Sequence, residues 1–244
     1  SFLRTFSKQN VLDDPLRVLR CVRFVSELNF NLDASLINFI KTYKSHLRLV
    51  ANERINYEIQ RIIRGRNASQ AIKLINKFKI FEYIQSEKNL ILNDLEKTNF
   101  EEFNKFEKEK YLPLFFLSQI LDESSLKNLK FSKSEISKVR LLRKWNLLLK
   151  IKTINELNEV ERFNLHQELE TILPSFILFL PESFYLDWLT RWRDKDDKLF
   201  HPSHLINGEV VKKYLKIQDG PILGMVINYL SRELAFNRLD NFDE

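Results

Sequence analysis

The sequence contains very little glycine, proline and cysteine. Four glycines, six prolines and one cysteine occur in 244 residues, although glycine and proline together make up about 12% of average sequences. Few turns are therefore encoded, and the apolar residues recur at i, i+3 and i+4 over long stretches instead of alternating. We predict an all-α chain. The lone Cys21 excludes an internal disulfide framework and a multi-cysteine zinc site, and we expect it to be a small core residue.

The sequence also lacks a membrane-spanning segment and a secretory signal. Its longest strongly apolar stretch, Tyr111 to Leu121, is too short to cross a bilayer, and the N-terminus has no charged-then-apolar pattern. We therefore expect a soluble, cytoplasmic protein with no membrane partner. The formal charge of +6 results from 39 basic and 33 acidic residues, which are interspersed, so the composition is compatible with a nucleic-acid partner without specifying one.

Helix-start and helix-stop signals divide the chain into units. Asp13, Asp14 and Pro15 predict a capped helix that extends to about Asn29, and Ser132 with Glu135 forms a capping box before another helix. Further helices are predicted over Ala34–Tyr43, from a cap at Asn52 to Ile63, and over Asn67–Phe78, Tyr111–Leu121, Glu159–Leu173 and Glu182–Arg193. The polar stretches Ile91–Lys110 and Asp194–Ser203 predict connections. The resulting units are a connector at 1–12, a helical unit at 13–90, a second at 91–200 and the start of a third at 201–244.

Three arginines and one aspartate form the pattern that points most directly to chemistry. Arg17, Arg20 and Arg23 shift by about 60° per step and fall on one helix face, and Asp14 lies one turn before Arg17. Cytosine and adenine each present an amino donor beside a ring-nitrogen acceptor, so a carboxylate and a guanidinium together can bind them and reject guanine and uracil. Arg20 and Arg23 suit a triphosphate. Spacing alone favours the alternative that the arginines form a solvated face with Asp14 as its cap.

The run DDPLRVLRCVRF, residues 13–24, closely resembles the EDxxR motif of class II tRNA nucleotidyltransferases, which bacterial poly(A) polymerases share. The resemblance implies that Asp14, Arg17, Arg20 and Arg23 bind CTP and ATP as an amino-acid template. Asn52–Ile59 resembles the ERIxxEL helix of the family, and residues 65–71 resemble its GPxAxxA turn with Arg66 in place of proline. Residues 206–224 are similar to its NGxDL…PGPxIG pattern. The supporting role implied for the template helix falls on Asp13, Glu53 and Arg54.

The resemblance implies addition or repair of the CCA end of tRNA by transfer of CMP and AMP. The units at 13–90, 91–200 and 201–244 then correspond to a neck, a body and a truncated tail, of which the body and tail hold tRNA. The family's catalytic head, with its GGxVRD, DxD and RRDFTIN segments, is not in the sequence. We therefore expect both chain ends to be cut, Mg²⁺ to be bound by the missing head, and this fragment alone to be inactive.

Several residues that could suggest a metal site are better explained as structural. The one DxD, Asp194-Lys195-Asp196, lies in a charged connection and predicts a surface loop, and His46, His166, His201 and His204 form no ligand cluster. Neither a catalytic nor a metal-binding residue is predicted in this chain. The alternative functions are a bacterial poly(A) polymerase, a CC-adding or A-adding specialist, and a headless RNA-binding module that uses the arginines only as a phosphate-binding face.

Overall fold

The computed structural model describes residues 2–3, 14–84, 100–202, 206–216 and 218–239. These form two compact units, residues 1–140 and 141–244. The prediction of an all-α chain is confirmed, because helices account for nearly all the regular structure. Within the described residues the strands are β1 (Phe2–Leu3) and β2 (Asn31–Leu32), which pair in parallel. The three-unit division of the sequence stays a prediction.

The helices are numbered in chain order. The first unit contains α1 (Arg17–Leu28), α2 (Ala34–Tyr43), α3 (Asn52–Arg64), α4 (Ala68–Lys77), α5 (Lys105–Ile120) and α6 (Glu123–Asn128). Helix α7 (Lys133–Leu148) includes the division between the units. The second unit contains α8 (Glu159–Leu169), α9 (Leu173–Ile177), α10 (Tyr185–Arg193), α11 (Gly208–Leu215) and α12 (Pro221–Ala235). Segments of 3-10 helix occupy Lys44–Leu49, Phe81–Tyr83, Ile154–Glu156, Glu170–Ile172 and Glu182–Phe184.

The core of the first unit forms where α1 packs on α3 and α4. Both α1 and α3 are amphipathic, and their apolar residues at i, i+3 and i+4 are buried. The backbones approach closely at Ser26, whose hydroxyl donates to the Ile62 carbonyl at 2.6 Å. A Cβ on Gly65 would overlap the Ser26 hydroxyl and lie 2.7 Å from the Ser26 carbonyl oxygen. Glycine at position 65 therefore permits this contact.

Most of the helices predicted from periodicity are present. The bounds of α2 are those predicted, and the capping box before α7 is confirmed by Ser132 N donating to Glu135 Oε2 at 3.0 Å and Glu135 N donating to Ser132 Oγ at 3.2 Å. Helix α5 begins at Lys105 rather than Tyr111, because Asn104 and Glu107 form a capping box. The prediction of a connection up to Lys110 is therefore wrong for its last six residues.

Two predicted N-caps are wrong. Helix α3 begins at Asn52, its N-cap is Ala51, and no side-chain cap is present there. Helix α1 has Leu16 as its N-cap, again without a side-chain cap. The Asp14 carboxylate does not cap α1 because it binds arginine side chains, as described below. Asp13 lies outside the described residues.

An aromatic cluster surrounds a buried histidine in the second unit. His166 on α8 lies with its ring centroid 4.2 Å from that of Phe200 and 5.1 Å from that of Trp188. Trp188 on α10 also lies 6.5 Å from Phe176 on α9 by the same measure. The Trp188 side chain is buried in this cluster and acts as a packing residue.

Candidate nucleotide-binding groove

A groove runs between α1 and α3 and contains most of the residues that the sequence singled out. Its volume is about 470 Å³. Its lining, taken from the described residues, consists of Leu16, Arg20, Arg23, Glu53, Arg54, Tyr57, Glu58 and Arg61. We call it the α1/α3 groove.

A buried carboxylate orients the two arginines of α1. Glu58 is only 1% exposed, because it lies on the apolar face of α3 between Ile55 and Ile62. Arg23 Nη1 donates to Glu58 Oε2 at 2.9 Å, and Arg20 Nε donates to Oε1 at 3.3 Å. An ionised carboxylate is costly to bury unless charged donors satisfy it. Glu58 therefore fixes the positions of both guanidinium groups.

Asp14 joins the N-terminus of α1 to the same network. Its Oδ2 accepts from Arg20 Nη1 at 2.8 Å, and its Oδ1 accepts from Arg54 Nη2 at 3.0 Å. Arg20 thus bridges Asp14 and Glu58. Arg54 joins α3 to the segment before α1 through this ion pair, and its role in supporting a template helix stays a prediction.

The network continues towards the C-terminal half of α1. Arg61 Nε donates to Glu27 Oε1 at 2.7 Å, and Arg23 Nε lies 3.6 Å from Glu27 Oε2. Charges therefore alternate along the groove in the order Arg54, Asp14, Arg20, Glu58, Arg23, Glu27 and Arg61. Each arginine of this series is held by at least one carboxylate before any ligand binds.

The structure separates the three arginines that the spacing placed on one face. Arg20 and Arg23 face α3, whereas Arg17 is half-buried and lies outside the set of described residues that line the groove. Glu53 lines the groove but is exposed, and the buried acid is Glu58. Glu58 lies within the ERIxxEL-like segment, where an acidic residue on the apolar stripe of a helix is the sequence signal for a buried carboxylate.

Cys21 lies on α1 behind these arginines and is fully buried, as predicted. Burial raises the pKa of its thiol to about 12, so the group is neutral and weakly nucleophilic.

Asp194 and Asp196 of the DxD segment lie in an exposed turn. No group of three or more His, Cys, Asp or Glu side chains suited to a metal ion occurs in the described residues. His204 lies outside them. No helix in the described parts of the chain has the length and hydropathy needed to cross a membrane.

Sequence comparison connects the chain to tRNA-processing enzymes. Residues 29–90 match a family described as the probable RNA- and SrmB-binding site of polymerase A. The CC-adding tRNA nucleotidyltransferase of Synechocystis sp. is 24% identical over 99% of this chain and 65% of its own length. The CCA-adding enzyme of Staphylococcus epidermidis is 30% identical over 34% of this chain and 21% of its own. The chain therefore spans less than two thirds of these relatives.

Solved structures share the fold over nearly the whole chain. A Thermotoga maritima CCA-adding enzyme complexed with tRNA superposes with a TM-score of 0.68 at 16% identity, covering 98% of this chain and 61% of that one. The Bacillus stearothermophilus CCA-adding enzyme in complex with CTP gives a TM-score of 0.59 at 16% identity, covering 97% and 60%. The EDxxR-like motif, this fold and these relatives together support membership of the chain in the class II tRNA nucleotidyltransferase family.

Proposed function

We propose that the protein containing this chain adds or repairs the 3′-terminal CCA of tRNA, transferring CMP and AMP from CTP and ATP. This chain supplies nucleotide selection and tRNA binding, and a catalytic head outside it supplies the Mg²⁺ site. The observation that carries the proposal is the α1/α3 groove, in which the buried Glu58 carboxylate fixes Arg20 and Arg23, and Arg20 in turn holds Asp14 of the same EDxxR-like motif.

Base selection is assigned to Asp14 and Arg17. An ionised carboxylate has about four lone-pair sites, and Asp14 uses one on each oxygen to hold Arg20 and Arg54. The remaining sites can accept from the amino group of cytosine or adenine while Arg17 donates to the adjacent ring nitrogen. Two arginines restrain Asp14 before the base arrives, so less conformational entropy is lost on binding.

Arg20 and Arg23 are assigned to the triphosphate. A guanidinium carries five N–H donors, and the contacts with carboxylates use only some of them. The charges in and beside the groove are balanced, because it has four arginines and four carboxylates. The arginines are Arg20, Arg23, Arg54 and Arg61, and the carboxylates are those of Asp14, Glu27, Glu53 and Glu58. The groove therefore orients phosphates without neutralising them. Metal ions held by a head would supply that neutralisation.

The second candidate is a CC-adding enzyme, which would stop before the terminal adenosine. It is favoured by the 99% coverage of this chain in the alignment with the Synechocystis CC-adding enzyme. A bacterial poly(A) polymerase is the third, since the matched family is named for polymerase A. The product formed on tRNA that lacks CCA distinguishes them: CCA, CC alone, or a run of adenosines.

The test of base selection uses the full reading frame that contains this chain. Asp14→Ala and Arg17→Ala should narrow the preference for CTP and ATP over UTP and GTP by about tenfold to a hundredfold, because a bidentate base contact contributes about 1 to 3 kcal/mol of discrimination. Arg20→Ala and Arg23→Ala should weaken incorporation of all four nucleotides about equally. Single-nucleotide incorporation is measured with each triphosphate, beside a thermal melt of each variant. Full retention of C and A preference in Asp14→Ala and Arg17→Ala would show that the template assignment is wrong.

A further inference from the structure

A second cavity in the first unit lies between the turn that joins α3 to α4 and the N-terminal half of α5. Its volume is about 810 Å³, which is within the range of ligand-binding pockets. The charged residues of its lining are four cations and one carboxylate: Arg64, Arg66, Lys105, Lys108 and Glu109. We call this cavity the basic cleft.

The cations of the basic cleft are matched by few carboxylates. Arg66 and Lys108 form no ion pair with any residue in the described part of the chain. Lys105 Nζ lies 4.0 Å from Glu109 Oε1. The first turn of α4 contains no acidic residue. In the α1/α3 groove each arginine is paired with a carboxylate, whereas the lining of the basic cleft has an excess of positive charge. The cleft therefore suits a polyanion.

The apolar part of the cleft lining contains two aromatic rings and one proline. It is formed by Ile63, Ala68, Phe100, Leu112, Pro113 and Phe116. The Phe100 ring packs edge-on against Phe116, with centroids 5.8 Å apart. Pro113, which lies inside α5, adds an apolar ring to the lining. An aromatic ring such as that of the half-buried Phe100 can stack on the face of any nucleobase.

The cleft lies beside the α1/α3 groove along one helix. Arg61 lines the groove and Arg64 lines the cleft, so they are separated by about 4.5 Å of rise along α3. An RNA strand whose end lies in the groove can therefore continue into the cleft.

We propose that the basic cleft binds a short unpaired segment of the RNA substrate, with its phosphates on the four cations and a base against the apolar residues. The inference rests on the proposed function, since it identifies where that substrate is held. An acidic peptide would satisfy the cations but would leave the Phe100 ring without a planar partner, and RNA is therefore the favoured occupant.

The test measures binding of fluorescent tRNA and of a short oligouridylate to this chain at 0.1 M KCl. Each single-strand phosphate contact contributes a factor of about five in affinity at this salt concentration, so Arg66→Ala with Lys108→Ala should weaken both ligands by about 25-fold. Arg66→Ala alone should weaken binding by about fivefold, and Lys77→Ala is the control for this single variant. It removes one positive charge from the exposed, opposite end of α4, and it should change affinity by less than about twofold.

The possible outcomes distinguish a failure of the cleft assignment from a failure of the proposed function. If the chain binds oligouridylate through Arg66 and Lys108 but does not bind tRNA, the proposed function fails and the cleft assignment stands. If tRNA binds and the double variant binds as tightly as the parent, only the cleft assignment is overturned. Equal competition by polyglutamate of matched charge would assign the cleft to an acidic protein segment and would overturn the RNA assignment. Circular dichroism confirms that the double variant is folded.

Discussion

The pKa of the His166 side chain is controlled by its buried surroundings. It is 3% exposed and lies against the rings of Trp188 and Phe200. Its Nδ1 has no hydrogen-bond partner among the described residues. Burial, reinforced by the positive charge of Arg191, lowers the pKa of His166 from 6.5 to about 3. The folded protein therefore holds a neutral imidazole throughout the physiological range.

This lowered pKa predicts that the folded protein becomes less stable as the pH falls. Below pH 6.5 the unfolded chain binds a proton at His166 that the folded chain does not, so the free energy of unfolding falls as pH falls, until the folded pKa is reached. The slope is about 1.4 kcal/mol per pH unit, which gives a loss of about 2 kcal/mol between pH 6.5 and pH 5. Urea unfolding at the two pH values should show this component in the parent and not in His166→Phe.

His46→Gln provides the control for that measurement, because His46 lies in the first unit and its replacement should leave the His166 component in place. An equal pH dependence in the parent and in His166→Phe would contradict the assignment.

Glu58 illustrates which part of the candidate site could be read from the sequence. Asp14, Arg20, Arg23 and Arg54 were predicted and are brought together. Glu58 was not given a role, because its function depends on α1 crossing α3 at this position. Residues 20 and 58 are far apart in sequence, and helical periodicity describes only one helix at a time. The structure brings these side chains together without testing their roles, so the nucleotide-binding and supporting roles of all the predicted site residues stay predictions.

At the level of the elements, local patterns predicted helices better than they predicted helix ends. The capping box of Ser132 and Glu135 is satisfied by residues three apart, so its sequence suffices. The Asp14 carboxylate instead binds Arg54, forty residues away, and tertiary contact overrides the local cap. The two strands have two residues each, which is too short for an alternating hydrophobic pattern to be recognised. The bounds of α5 depended on Asn104, which lay in a stretch that its polar composition assigned to a connection.

The turn between α3 and α4 should tolerate no side chain at position 65. A methyl group on Gly65 would meet the backbone and hydroxyl of Ser26, so α1 and α3 would have to move apart. We expect Gly65→Ala to lower the free energy of unfolding by about 1 to 3 kcal/mol, as overpacking does. Urea unfolding measures the change.

Gly224→Ala is the matched control for this substitution. Gly224 lies within α12, and a Cβ there would have no neighbouring atom within 4 Å among those of the described residues. Alanine has the higher helix propensity, so this variant should be about 0.5 to 1 kcal/mol more stable than the parent. The close-packing account fails if Gly65→Ala is neutral or stabilising.

Over the whole molecule, charge is distributed unevenly. The net charge of +6 is modest for 244 residues, yet the α1/α3 groove is balanced while the basic cleft is strongly positive. The composition alone could not reveal this difference, because acidic and basic residues are interspersed along the chain and separate only after folding. A phosphate backbone should therefore bind to localised positive surfaces and not to the molecule as a whole.

Binding of tRNA to the whole chain should consequently depend steeply on salt. Neutralising phosphates releases counterions, and about four single-strand contacts, the number of cations in the basic cleft, give a slope of about −2.8 in log K against log salt. Raising KCl from 0.1 to 0.3 M should therefore weaken binding by about twentyfold. Fluorescence anisotropy with labelled tRNA measures the slope. A parallel series in which a neutral osmolyte replaces the added KCl should leave affinity nearly unchanged, which attributes the loss to ions. Salt-independent binding would show that apolar or neutral polar contacts dominate, and the assignment of this chain to tRNA binding through its cations would then be wrong.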